Sequence, residues 1–211
     1  MHRLLLSAVA FAAIAAVPGV AAANCSSATM ERAASGTRPN AQALERLNTE
    51  AQSSLERGAL TEACMKFRLI LSVDARNIDA RLGLGEGSLS EGDYTAARAH
   101  FEAVLASASD NPIAHQGLGL AFLLGGDFAA AEPSLRSAVE HDPTLWRSWN
   151  GLAIIADERA DWEAADAAFA SAIAAAPQQA NVHNNIGMSL MQRGEPARAV
   201  AAFDAALRFD Q

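Results

Sequence analysis

From residue 44 onward, apolar side chains recur at intervals of three and four residues, which is the spacing of one face of an α-helix. Short polar breaks interrupt them at a constant stride. Gly92-Asp93-Tyr94, Gly126-Asp127-Phe128 and Ala160-Asp161-Trp162 stand 34 residues apart, and the same step leads forward to Gly194-Glu195-Pro196 and back to Gly58-Ala59-Leu60. Self-similarity at a fixed interval of this length is the signature of a stacked supersecondary unit. It divides the chain into five units, 44–77, 78–111, 112–145, 146–179 and 180–211.

Each unit predicts two helices. Three residues beyond the break comes an alanine (Ala63, Ala97, Ala131, Ala165, Ala199), and four further on a large apolar side chain (Phe67, Phe101, Leu135, Phe169, Phe203). Another apolar position follows three later, at Ile70, Val104, Ala138, Ala172 and Ala206, completing the buried face of a second helix. Ahead of the break, Leu84-Gly85, Leu118-Gly119, Leu152-Ala153 and Ile186-Gly187 mark where a first helix lets its partner approach, because a small residue leaves room there. Gly58, Gly92, Gly126 and Gly194 suit a left-handed turn, and Asp93, Asp127 and Asp161 suit helix N-caps. Pro196 sits at a first helical position, while Pro143 and Pro177 stop two second helices. Pro133 falls inside a second helix, where it predicts a lost hydrogen bond or a kink.

The recurring aromatic, Leu-Gly, alanine, aromatic, alanine and proline positions resemble the tetratricopeptide family, with Trp149, Leu152, Ala153, Trp162, Ala165, Phe169, Ala172 and Pro177 as the fullest copy. The resemblance implies an all-α fold, a right-handed superhelical solenoid of five antiparallel helix pairs. It also implies that the first helices line a concave groove that binds other proteins or extended peptides. Positions two, five, nine and twelve of each unit then face that groove. They are Ile113, Gln116, Leu120 and Leu123 in the third unit, Arg147, Asn150, Ile154 and Asp157 in the fourth, and Asn181, Asn184, Met188 and Met191 in the fifth. Gln116, Asn150 and Asn184 share one position and predict a spaced row of amides, able to donate and accept along a peptide backbone. Leu120, Leu123, Ile154 and Met188 are expected to receive apolar side chains. A carboxylate clamp needs paired lysines; this groove offers only Arg147.

Composition narrows the setting. Hydrophobic residues make up 51% of the 211, enough for a core, but only 6% are aromatic, which favours closely packed helices over a β-sandwich. The formal charge of −8 and the lack of a basic stripe argue against nucleic acid as a partner. Residues 1–23 carry a short basic start, an apolar run from Leu4 to Val17 and the small residues Ala21, Ala22 and Ala23, the pattern of a secretory signal cleaved after Ala23. Residues 24–43, rich in Ser, Ala, Thr and Gly, are expected to form a flexible tether. Cys25 follows Asn24 and stands two residues past the cleavage point, whereas a lipoprotein needs cysteine first and after a small residue. Three readings stay open: a lipid anchor at Cys25, a disulfide between Cys25 and Cys64, or two free thiols.

Neither a zinc spacing, a phosphate loop nor a nucleophile elbow occurs, so no cofactor or catalytic residue is expected. His115 and His183 lie two units apart at the same position and are expected to be satisfied interior side chains. Asp157, Glu158, Asp161, Glu163 and Asp166 lack the alternation of a calcium loop and are expected at a solvated helix junction. Trp146 alone among the tryptophans is left over from core positions, as a candidate sugar platform. The final repeats resemble those of tetratricopeptide proteins of the tight-adherence (Flp) pilus system, which implies a periplasmic, outer-membrane-associated role in pilus assembly. A periplasmic chaperone for another exported client is an alternative. So is self-association, because no polar capping helix follows the fifth unit before Gln211.

Overall fold

The computed structural model describes Cys25 and residues 40–210. The signal sequence and most of the expected tether lie outside the described residues. Within them, ten helices form in order: α1 (Ala41–Glu56), α2 (Leu60–Val73), α3 (Ile78–Glu91), α4 (Tyr94–Leu105), α5 (Pro112–Leu124), α6 (Phe128–His141), α7 (Trp146–Glu158), α8 (Trp162–Ala175), α9 (Ala180–Gln192) and α10 (Pro196–Phe209). Helix α1 starts inside the stretch expected to be a tether. Asn40 supplies the reason, since its side chain accepts from the Ala43 amide at 2.9 Å and caps the first turn.

Side-chain caps open six of the ten helices. Asp93, Asp127 and Asp161 accept from the amide three residues on, as expected, and Asn77 and Asn111 do the same for α3 and α5. Between the helices of each pair the chain turns through a left-handed residue: Gly58, Gly92, Gly126 and Gly194 have φ of 73°, 77°, 82° and 75°. In the fourth pair this residue is Ala160 at φ 56°, a conformation its Cβ disfavours. Helix α6 runs on through Pro133 without a break.

The helices stack in sequence, each against the next, and each odd-numbered helix also touches the following odd-numbered one. No two even-numbered helices make comparable contacts among the described residues, so the array bends with α1, α3, α5, α7 and α9 inside. Glycine makes this closeness attainable. The Phe101 ring of α4 is wedged between Gly85 of its own pair and Gly117 of the next, and a Cβ at either would overlap it. Leu135 lies in the same way between Gly119 and Gly151. Buried apolar residues therefore run continuously from Leu89 to Val182, with a second cluster around Phe67, Ile70 and Leu84.

A further tie recurs at the fourth position of the units. Arg81 Nη2 donates to the Ala75 carbonyl at 2.7 Å and Trp149 Nε1 to that of Pro143 at 2.9 Å. His115 Nε2 and His183 Nε2 lie 2.8 and 2.9 Å from the Ser109 and Pro177 carbonyl oxygens. Four side chains of three kinds thus satisfy a carbonyl in the loop after the preceding pair, six residues back. Both histidines are only partly buried at this edge, so the interior placement expected for them is corrected.

Candidate functional site

The inner face is built by the odd-numbered helices, and its character changes along the array. On α9, Asn181 and Asn184 are exposed, and Met188 and Met191 expose 41% and 50% of their surface. On α7, Asn150 and Ile154 are half-buried, and Asn150 Oδ1 accepts from Asn185 Nδ2 of α9 at 3.1 Å. Ile113 of α5 is 41% exposed. These residues form an open surface of amide, thioether and branched aliphatic groups.

Other expected groove residues are engaged elsewhere. Leu120 and Leu123 are buried, at 7% and 4% exposure, because α5 is held between α3 and α7 and both leucines join the shared core. They cannot receive a partner's side chain. Gln116 is 9% exposed and its Oε1 accepts from the buried hydroxyl of Ser148 at 3.3 Å, so only part of its amide remains available. Arg147 is not a lone cation: its Nη1 meets Glu86 Oε1 at 2.7 Å, a contact from the fourth pair to the second that passes over α5. Trp146 packs against the core and does not form a free platform.

The repeat register also identifies an amide that the groove reading passed over. Asn48 on α1 stands at the position of Gln116, Asn150 and Asn184, with Leu82 replacing the amide in the second unit. Its Oδ1 is buried without a hydrogen-bond partner among the described residues. Counting back 34 residues at a time from Gln116 finds it.

Asp157 lies neither in an open groove nor at a solvated junction. It is buried, accepts from Ser189 Oγ at 2.8 Å and faces Arg193, whose Nη2 is 3.5 Å away. Arg193 also reaches Asp166 at 2.8 Å and lies over the Trp162 ring at 5.1 Å, tying α9 to α7 and α8. Burial pushes the Asp157 carboxyl above its ordinary range, against the pull of Ser189 and Arg193. The partners missed here, Ser189 and Arg193, come from the next repeat, and only the charge of Arg193 offered a sequence signal.

Near the start of the array, Cys25 and Cys64 form a disulfide, the second of the three readings of these cysteines. Its sulfurs fill the space beside Gly87, where a Cβ would collide with both. The Cys25 amide donates to both carboxylate oxygens of Glu91, at 2.8 and 3.1 Å, and burial raises the Glu91 carboxyl. Cys25, Cys64 and Glu91 bring potential metal ligands together, but the bridge uses both sulfurs. A bridged Cys25 sulfur is equally unavailable to carry a lipid. No helix among the described residues is long and apolar enough to cross a membrane.

Five stacked helix pairs with a glycine-lined seam and an inner face of exposed polar and apolar side chains define a helical-repeat protein whose accessible feature is a surface. The sequence profile of the tetratricopeptide repeat matches residues 79–145 and 150–211. The chain belongs to the tetratricopeptide repeat family. Among solved structures it is similar to MamA from Desulfovibrio magneticus RS-1, at 20% identity and a TM-score of 0.62, covering 79% of this chain and 94% of that one. It is also similar to MamA of MSR-1, at 23% identity, TM-score 0.58 and coverage of 79% and 96%. A MamA structure of AMB-1 aligns at 24% identity and TM-score 0.56, over 81% and 93%. At these identities the likeness shows the fold. No curated protein matches the sequence.

Proposed function

We propose that the chain is a non-catalytic scaffold that holds extended segments of other proteins against its inner face. The observation that carries this reading is the exposure of Asn181, Asn184 and Met188 on α9, next to Asn150 and Ile154 on α7, on the side toward which the array bends. Amides there satisfy a partner's backbone in either direction, and methionine adapts to varied side chains. The leader-like residues 1–23 and the bridge between Cys25 and Cys64 favour export to an oxidising periplasm. The resemblance of the last repeats favours assembly of a pilus or secretion machine of the Flp type at the outer membrane. Affinity capture from the native envelope, comparing the mature chain with the Asn150→Ala, Asn184→Ala double variant, tests this reading. Enrichment of pilus subunits or secretin that the variant loses is the expected result. Capture of one unrelated exported client would replace the pilus with a chaperone role, and equal capture by both proteins would remove the amide surface from the account.

A second reading is favoured by α10, which exposes 58% of Val200 and 70% of Leu207. An apolar stripe of this kind suits self-association. Sedimentation that depends on concentration, and is abolished by Leu207→Glu, is its test.

A further inference from the structure

The inner face carries a half-open cavity of about 280 Å³ between α1, α3 and α5. Leu55, Leu82 and Ile113 line its walls. Gly83, Gly117 and Phe101 complete its apolar lining. The mouth is polar and carries Asp79, Glu86 and Arg147.

The charges at the mouth do not cancel. Glu86 spends one oxygen on Arg147, and its Oε2 has no bond among the described residues. Asp79 is exposed and makes no ion pair there. It lies seven residues before Glu86 on α3, two turns away on the same face, at about 10.5 Å along the axis. Two carboxylates therefore face one guanidinium, and the mouth is left with net negative charge. Gln116 supplies a second, independent sign of a ligand. The residue is about nine-tenths buried and lines the cavity, its Oε1 is held by Ser148, and its Nε2 makes no hydrogen bond among the described residues.

An apolar shaft with an acidic mouth fits a side chain that is apolar along its stem and positive at its tip. We propose that this cavity takes the long cationic side chain of an arginine or lysine carried on an extended segment of a partner protein. The methylene stem lies against Leu55, Leu82 and Ile113, the charged head meets Asp79 and the free oxygen of Glu86, and Gln116 Nε2 donates to a carbonyl of the partner's backbone. The family's lysine-based clamp for a carboxylate is thus inverted here, with acids on the scaffold and the base on the partner. This inference rests on the groove reading above and adds the chemistry of the occupant.

The test uses two fluorescein-labelled heptapeptides that differ at one central residue, arginine in one and its neutral isostere citrulline in the other. Anisotropy titrations with the full mature chain should show the arginine peptide binding about tenfold tighter, and the gap should narrow as salt is raised. Asp79→Asn with Glu86→Gln should close the gap; Asp79→Asn alone, at an exposed first-turn position, should halve it and serves if the double variant loses helicity. Asn150→Ala with Asn184→Ala should weaken both peptides alike. Equal affinity of the two peptides for the native chain overturns the inference, and so does a gap that survives the acid substitutions. In either case a common loss in the amide variant still supports the groove. No binding of either peptide at millimolar concentration also overturns the cationic occupant, while the groove reading is decided separately by the envelope capture.

Discussion

Removing the bridge between Cys25 and Cys64 should destabilise the first two helix pairs by an amount that follows from its place in the chain. The cysteines are 39 residues apart, and closing a loop of that size in the unfolded ensemble is worth about 4 kcal/mol in the chain-entropy account. For an array of this size each kcal/mol moves the midpoint by roughly 2–4 °C, so Cys25→Ala with Cys64→Ala should melt roughly 8–16 °C lower. Stability in stacked repeats is summed over neighbours, so the loss should fall first on α1 and α2. Hydrogen exchange should accelerate there, with α7 to α10 unchanged. Calorimetry of the native chain, the same chain in dithiothreitol and the double variant supplies the comparison, and the last two should coincide. Gly87→Ala places a methyl against the sulfurs and should cost more in the bridged chain than in the double variant. Two titratable thiols in the native chain, or a variant that melts with it, would refute the reasoning.

Three other substitutions test the packing and the charges. Gly117→Ala forces a methyl into the Phe101 ring, which Gly85 prevents from retreating, and should cost about 1–3 kcal/mol by thermal melting, largely relieved by adding Phe101→Leu. Ala160→Gly removes a left-handed alanine and should raise stability by about 0.5–1 kcal/mol in urea denaturation; no gain would mean that the turn tolerates its Cβ. Glu132 bonds Arg136 and Arg159, which hold its carboxyl below the ordinary value of 4.5. A depressed carboxylate contributes stability above its unfolded value and loses it as pH falls through the folded one. Glu132→Gln should therefore melt slightly lower at pH 7, by less than about 1 kcal/mol for a partly exposed pair, and the difference should shrink as pH falls below the ordinary carboxylate value and vanish once it has passed the depressed folded one.

Helix number, pairing and turn chemistry were legible in the sequence because each is set locally and repeated. A left-handed glycine, a capping aspartate and an apolar residue every three or four positions read the same in every unit. The inner face was less legible, because a position in the register states which way a side chain points and not whether a neighbour covers it. Leu120 and Leu123 share register positions with Met188 and Met191, yet the first two are flanked by helices on both sides and the last two lie on the final inner helix. Contacts between units were not legible at all. Arg147 meets Glu86 across 61 residues, and Asp157 finds Ser189 32 residues away, pairings that depend on how tightly glycine lets the helices approach. The cavity proposed to accept a cation has the same origin, since its lining comes from helices of three successive pairs and includes Gly83 and Gly117.

The central claim is that partners bind on the side of the odd-numbered helices. Site-specific photocrosslinking in the native envelope tests it most directly, with benzoylphenylalanine placed at Asn184 and Ile113 on the inner face and at Glu102 and Glu163 on exposed positions of α4 and α8. The account predicts a discrete crosslinked partner from Asn184 and Ile113, lost when Asn150→Ala is added to the Asn184 site, and none from Glu102 or Glu163. Crosslinks that arise only from Glu102 and Glu163 would contradict it, and would move the binding surface to the outside of the array.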